Sequence, residues 1–304
     1  MNRKTLQGGD YYDFLLTNDS SFFQHPFHGL HMSSVIESTA GKPSTSVRQV
    51  PRFTSVRTIG ALILREMNTS YGRNPGGYIW AVLQPAGGLA IMVAVFSVGF
   101  RSPPLGTNFA IFYATGLLPF MAFMDVAGKI GQSLNYSRPF LAYPRISFMD
   151  AIIARLILNS LTQLLVSYIL FTMILMLYET RTTLEMGRIA LAYAMVGSLS
   201  FGIGVLNCFL MSQFRVWQQV WGILMRPMFL ISGIFFMYDD IPEPYRSYLW
   251  YNPLMQITGE MRAAFYVNYG GEYVSPGYVF SIALVTSAFG LLFLRRYHRD
   301  ILYS

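Results

Sequence analysis

The chain has 304 residues, of which 53% are hydrophobic and only 12% charged, and its mean hydropathy is +0.39. That balance excludes an ordinary soluble domain and points to several membrane spans. In a chain this apolar, a net charge of +7 marks loops on one side of a membrane rather than a nucleic-acid surface, so no nucleic-acid partner is expected.

Residues 1–50 read as a disordered polar extension, rich in serine and threonine. His25, His28 and His31 recur every third residue there. They suggest either a metal ligand set or local enrichment in a flexible tail, and no carboxylate or cysteine completes such a set. No uninterrupted apolar core precedes a cleavage site, so no signal peptide is expected. Residues 51–78 form an interface helix and turn. Val56, Ile59, Ile63 and Met67 fall at helical spacing, with Arg57, Arg65, Glu66 and Arg73 among the headgroups. Asn74-Pro75-Gly76-Gly77 then turns the chain into an uncharged stretch over 79–100, long enough to cross a hydrocarbon core of roughly 30 Å.

Residues 79–300 are expected to hold the spanning domain. A second span covers 109–127, with Pro119 as a kink. Residues 129–147 read as a polar loop carrying Lys129, Arg138 and Arg145. A third span covers 151–178 and a fourth 189–211, where Gly197, Gly202 and Gly204 suit close helix packing. Residues 212–226 read as a connection. A fifth apolar stretch over 227–238 is too short to cross alone unless it draws on 220–225. Residues 239–276 are too apolar for free solvent and suggest segments dipping into the interface, turned by Pro242, Pro244 and Pro253. A sixth span covers 278–294. The expected fold is an all-α integral membrane protein with six transmembrane helices, an N-terminal amphipathic interface helix and re-entrant segments between spans five and six. Six spans place both termini on one side. That side carries Arg57, Arg65, Arg73, Lys129, Arg138, Arg145, Arg215, Arg226, Arg295, Arg296 and Arg299. The other carries only Arg101, Arg181, Arg188, Arg246 and Arg262, so the termini are expected in the cytoplasm.

Ordered motifs resemble the membrane subunits of type 2 ABC exporters that move bacterial polysaccharides, above all the permeases of group 2 capsular polysaccharide export. Leu64-Arg65-Glu66, Tyr71-Gly72-Arg73 and Gly77-Tyr78-Ile79-Trp80-Ala81-Val82-Leu83-Gln84-Pro85 carry the start of the likeness. Gly116-Leu117-Leu118-Pro119-Phe120, Asp150-Ala151-Ile152-Ile153-Ala154-Arg155 and Trp250-Tyr251-Asn252-Pro253-Leu254, with Glu260 and Arg262 beyond, continue it. It covers about residues 56 to 300. Gln84 stands where the family usually has an acidic residue, and the N-terminal extension is unusual. The resemblance implies a permease in the bacterial inner membrane that pairs with a second copy of itself and with two copies of an ABC ATPase. Lipid-linked polysaccharide would be the cargo, and periplasmic and outer-membrane capsule export proteins further partners. The chain carries no G-x-x-x-x-G-K-[ST] phosphate loop, so ATP and magnesium are expected on the partner and no cofactor on this chain. The same fold with O-antigen, teichoic acid or a drug as cargo is the sibling reading. A membrane-embedded transferase or a channel that uses no ATP is the more distant one.

Within that reading, Arg138, Pro139, Phe140, Tyr143, Pro144 and Arg145 are the candidate ATPase-coupling segment, with a loop basic only for topology as the alternative. Asp125 and Arg155 are candidate partners near span ends, Asp125 pairing with Arg155 or with Lys129 one turn away. Tyr78, Trp80, Phe96 and Phe100 are candidates to line a channel that stacks on sugar rings. Tyr238, Tyr248, Trp250 and Tyr251 suggest an exit gate or an interfacial belt. No catalytic residues are expected, because no span holds a histidine and Asp125 is the only obvious carboxylate within one.

Overall fold

Inside hydrocarbon a backbone can satisfy its polar groups only through helices or closed barrels. The computed structural model answers with helices alone. It describes residues 54–70, 76–141, 147–180 and 182–303. The expected extension, its three histidines, Arg73, Tyr143, Pro144, Arg145 and Arg181 lie outside the described residues. The helices are α1 (Thr54–Ser70), α2 (Gly77–Gly99), α3 (Phe109–Gly131), α4 (Ser133–Leu141), α5 (Phe148–Leu177), α6 (Met186–Gln213), α7 (Trp217–Ile231), α8 (Tyr245–Trp250), α9 (Pro253–Phe265) and α10 (Pro276–Tyr303).

The bundle is built around α3. Its sequence is apolar on every side up to Asp125, and a helix of that kind belongs in the middle. α2, α5, α6 and α9 pack around it. Asn108 caps its start, accepting from the Ala110 amide at 2.8 Å, and Lys129 sits in its last turn, where positive charge suits the helix dipole. The helix runs unbroken through Pro119. By contrast, Pro85 and Leu89 are the only buried residues of α2. Ser147 and Asp150 form a reciprocal capping box that starts α5 sharply.

Glycines on α6 and α10 set the closest helix contacts. A Cβ on Gly204 would stand 2.8 Å from Ile130 Cβ of α3. A Cβ on Gly202 would strike the Ala283 carbonyl and Thr286 hydroxyl of α10. Gly197 does not join them. It faces open space and lines an apolar groove of about 500 Å³ with Leu156, Leu161, Ser198 and Phe201.

Three sequence expectations need correction. Residues 129–147 are not mainly loop. α3 continues to Gly131, and α4 follows because Leu134 inserts between Ile130, Ile152, Val205 and Leu294. Ser133 Oγ lies 3.2 Å from the Sγ of Cys208, the chain's one cysteine, which is fully buried. Residues 212–226 are not mainly a connection either, since α7 begins at Trp217 and passes through Pro227. It ends at Ile231, well before residue 238, because Gly233 adopts a left-handed φ of 72°. At fifteen residues α7 is about 22 Å long, short of a full crossing. Among the described residues, five helices are long and apolar enough to cross: α2, α3, α5, α6 and α10.

Gly290 of α10 tests this packing. A Cβ there would stand 2.6 Å from the Leu206 amide nitrogen and 2.9 Å from its Cα, and backbone cannot step aside cheaply. Gly290→Ala is expected to lower stability by about 1–3 kcal/mol. Thermal unfolding of the purified chain in detergent, compared with Gly197→Ala, checks this, and the latter variant should unfold like the parent.

Candidate functional site

Most of the candidate side chains gather at the two ends of the bundle. At one end, α1 lies against α5. It turns Ile59, Leu62, Ile63, Glu66 and Met67 inward and leaves Arg57 and Arg65 exposed. Glu66 therefore does not sit among headgroups with the arginines. Its carboxylate accepts from Arg155 Nη2 at 3.0 Å. Arg155, only 4% exposed, also donates through Nη1 to the Lys129 carbonyl at 2.9 Å and lies over the Tyr136 ring at 4.7 Å. One guanidinium thus ties α5 to α1, to the last turn of α3 and to α4. A fixed fork of donors makes arginine suited to this.

Asp125 is not the partner of Arg155. It accepts from Gln163 Nε2 of α5 at 3.0 Å. The pair lies in a cavity of about 400 Å³ among α2, α3 and α5, together with Trp80, Gln84 and Lys129. Gln163 was visible in the sequence as an amide within an apolar span. Its pairing depends on helix rotation, which spacing alone leaves open.

The candidate coupling segment starts from α4. Arg138, Pro139 and Phe140 occupy the end of that helix. Its first turns hold to the bundle through buried Ser133, Leu134 and Ser137.

The α2 aromatics do not form one surface. Tyr78 and Trp80 are exposed at its start. Phe96 and Phe100, at its far end, are 5.9 Å apart. Phe96 continues to Tyr113 at 5.0 Å and Phe235 at 5.6 Å, Phe235 to Phe229 at 5.2 Å, and Phe229 to Phe120 at 5.3 Å. Edge-to-face and offset rings of this kind add packing energy beyond their buried area.

At the other end, the segment from 232 to 276 wraps the starts of α3 and α6. Tyr238 is buried and stacks on Tyr273 at 3.9 Å, so it does not face outward with Tyr248 and Tyr251, which are exposed. Trp250 donates its indole N–H to the Tyr273 carbonyl at 3.0 Å and tilts against Tyr278 at 4.9 Å. Asn252 caps α9 through the Leu254 amide and donates to the Ile231 carbonyl at the end of α7, at 2.9 Å. The Trp250–Leu254 motif is therefore a joint between α7, α8 and α9.

Arg262 is 1% exposed. It donates to the carbonyls of Phe236 at 2.8 Å and Ile234 at 3.2 Å, and its Cζ lies 4.3 Å from the centre of the Phe112 ring. The break after α7 frees those carbonyls, and Arg262 takes them. Burial pulls its guanidinium below the usual range and pushes Tyr266, Tyr269 and Tyr273 up. Burial likewise raises Glu260, opposed by Arg188. Sequence reading placed Arg262 in a motif but not in this clamp. The signal was an arginine directly before Ala263-Ala264-Phe265.

Among the described residues no group of three or more histidine, cysteine, aspartate or glutamate residues is placed to hold a metal ion. Residues 57–266 match the family model described as ABC-2 type transporter. The chain is similar to the polysialic acid transport protein KpsM of Escherichia coli, at 31% identity over 81% of this chain and 96% of that protein. It is similar to the capsule polysaccharide export inner-membrane protein CtrC of Neisseria meningitidis serogroup B, at 25% identity over 81% of this chain and 92% of CtrC. The capsule polysaccharide export inner-membrane protein BexB of Haemophilus influenzae is 22% identical over the same shares.

Removing Arg155 takes the ion-pair donor from Glu66 and the side-chain donor from the Lys129 carbonyl. Arg155→Met is expected to cost about 3 kcal/mol, toward the low end for a buried pair because Glu66 is partly exposed. Adding Glu66→Met should recover part of the loss. Thermal unfolding of both single variants and the double variant in detergent measures the coupling.

Proposed function

The chain belongs to the ABC-2 type transporter family, and from that membership we propose that it is the membrane subunit through which an ABC exporter passes capsular polysaccharide across the bacterial inner membrane. The observation that carries this reading is the likeness to KpsM, CtrC and BexB, which spans 92% or more of each relative. The all-helical fold agrees with it.

In this reading the chain is a permease with no catalytic residues and no cofactor of its own. Two copies form the channel, and two ATPase subunits hold ATP and magnesium. Lipid-linked glycan is the cargo, and periplasmic and outer-membrane capsule export proteins receive it. Both termini face the cytoplasm. The described spans α2, α3, α5, α6 and α10 supply five crossings, and α7 with residues 232–237 supplies the sixth. α8 and α9 then dip into the outer leaflet. Residues 51–78 lie on the cytoplasmic leaflet, where anionic lipids hold Arg57, Arg65 and Arg73.

The coupling segment runs from Arg138, Pro139 and Phe140 through Tyr143, Pro144 and Arg145. Its position supports this role. α4 leads into it, and Tyr136 of α4 lies against Arg155, which also grips α1 and α3. A push on α4 from a soluble partner therefore reaches three other helices as one rigid body. Trp80, Tyr78, Phe96, Phe100 and the outer pair Trp250 and Tyr251 offer ring faces to a sliding polymer.

Co-purification with the ATPase encoded beside this chain tests the reading. The complex should hydrolyse ATP. Arg138→Ala, Phe140→Ala and Arg145→Ala together should cut turnover severalfold while leaving the chain folded. If no ATPase associates under mild detergent, and glycan still reaches the cell surface in a deletion strain, the reading is wrong.

A further inference from the structure

The seam between α6 and α9 holds an uncommitted carboxylate. Glu260 of α9 is only 7% exposed, and among the described residues it makes no hydrogen bond or ion pair. Buried carboxyl groups are nearly always paired or hydrogen-bonded, so a bare one marks a place where protonation matters. Ala264, one turn on and on the same face of α9, accepts from the Glu185 amide that opens α6, at 3.0 Å. The Glu185 carboxylate pairs with Arg188 Nε at 3.0 Å. Arg188 also donates through Nη1 to the Gly270 carbonyl at a long 3.4 Å, and its Nη2 makes no hydrogen bond among the described residues. The turn it reaches packs on α9, since a Cβ on Gly271 would stand 3.3 Å from the Ala263 Cβ. Arg188 therefore clips that turn to the start of α6, with Glu260 as a second carboxylate within its field.

The other elements around α9 bring no competing charge. The first charged residue of α3 is Asp125 and that of α10 is Arg295, each far along its helix from this seam. Arg246 of α8 is committed to the carbonyls of Ile241 and Asp239. Arg262 lies on another face of α9, over Phe112. Tyr269 and Tyr273 share a hydrogen bond at 3.2 Å, and burial pushes both up, so they stay neutral. Asp239, Asp240, Glu243 and Glu272 are exposed.

We propose that Glu260 is a proton-operated switch for the seam between α6 and α9. With Glu260 neutral, Arg188 stays on Glu185 and the Gly270 carbonyl, and the turn is clipped. With Glu260 ionised, Arg188 turns its spare nitrogen inward, drops the Gly270 carbonyl and releases the turn. The direction with pH follows from the surroundings. Burial first, and then the Glu185 charge, hold the proton on Glu260, while Arg188 opposes them. The folded chain therefore keeps this proton to higher pH than the unfolded chain does. The stabilisation is complete below the ordinary glutamate value of about 4.3 and is lost as pH rises through the raised one. The seam is tight in acid and loosens toward neutral pH, whatever the chain carries.

Hydrogen–deuterium exchange of the full-length chain in nanodiscs, read over residues 266–275, tests this. Parent and variant are compared at the same pH, which cancels the intrinsic pH dependence of exchange. At about pH 7.5, Glu260→Gln should exchange roughly threefold more slowly than the parent in that segment, because the neutral amide stands for the protonated carboxyl. At about pH 4.5 the two should match, since the parent is then protonated as well. In an Arg188→Gln background, Glu260→Gln should change nothing there, an outcome that a merely structural Glu260 would not give. Glu185→Gln alters an exposed side chain and leaves Glu260 in place, so it serves even where Glu260→Gln does not fold. Losing the competing carboxylate should move the pH at which the segment loosens downward. The proposal fails if Glu260→Gln exchanges as the parent does at the higher pH, or if its effect survives without Arg188. It also fails if Glu185→Gln leaves that loosening where it was.

Discussion

The Arg155 guanidinium is the junction on which one end of the molecule depends. Placing a charge where only 4% of the residue meets solvent is costly unless its donors are used. Two of its nitrogens are committed, one to Glu66 and one to the Lys129 carbonyl, and a ring covers one face. The helix α1 is therefore no separate unit. It is bolted to the spanning bundle by an interaction that weakens if any of its partners shifts by an ångström or two. That geometry makes α1, α3, α4 and α5 one mechanical unit.

The opposite end solves a similar problem with different means. After α7 the backbone leaves helical geometry at Gly233, and carbonyls that a helix would have satisfied are exposed. Arg262 satisfies two of them, and Asn252 takes the carbonyl of Ile231. Buried irregular backbone is tolerated only where such partners are supplied. The near-complete burial of α9 follows from this, because the helix that carries Arg262 must sit inside the fold to reach the break.

Apolar length was enough to read the candidate spans α2, α3, α5, α6 and α10 from sequence, with ends shifted by a few residues. Helical periodicity was enough to read Ile59, Ile63 and Met67 as one face of α1, but that face turns toward α5 rather than down onto a bilayer, and Val56 proved exposed. What stayed hidden depends on rotation and distance. Asp125 and Arg155 lie on facing helices, yet each found another partner, Gln163 and Glu66. α7 was misplaced because Arg226-Pro227 reads as a boundary in one dimension, whereas the helix passes through that proline. α4 was read as loop because its apolar content is low, and a single buried leucine with two serines was enough to dock it.

The burial of Cys208 has a practical consequence. The only thiol in the chain is enclosed between α4 and α6, with Ser133 beside it. Maleimide reagents dissolved in water should pass it by. A cysteine introduced at an exposed position such as Tyr251 or Tyr248 would then be the sole accessible nucleophile of its kind. Spin labels or cross-linkers placed that way would report whether copies of the chain meet, without first stripping the native sequence of its sulfur.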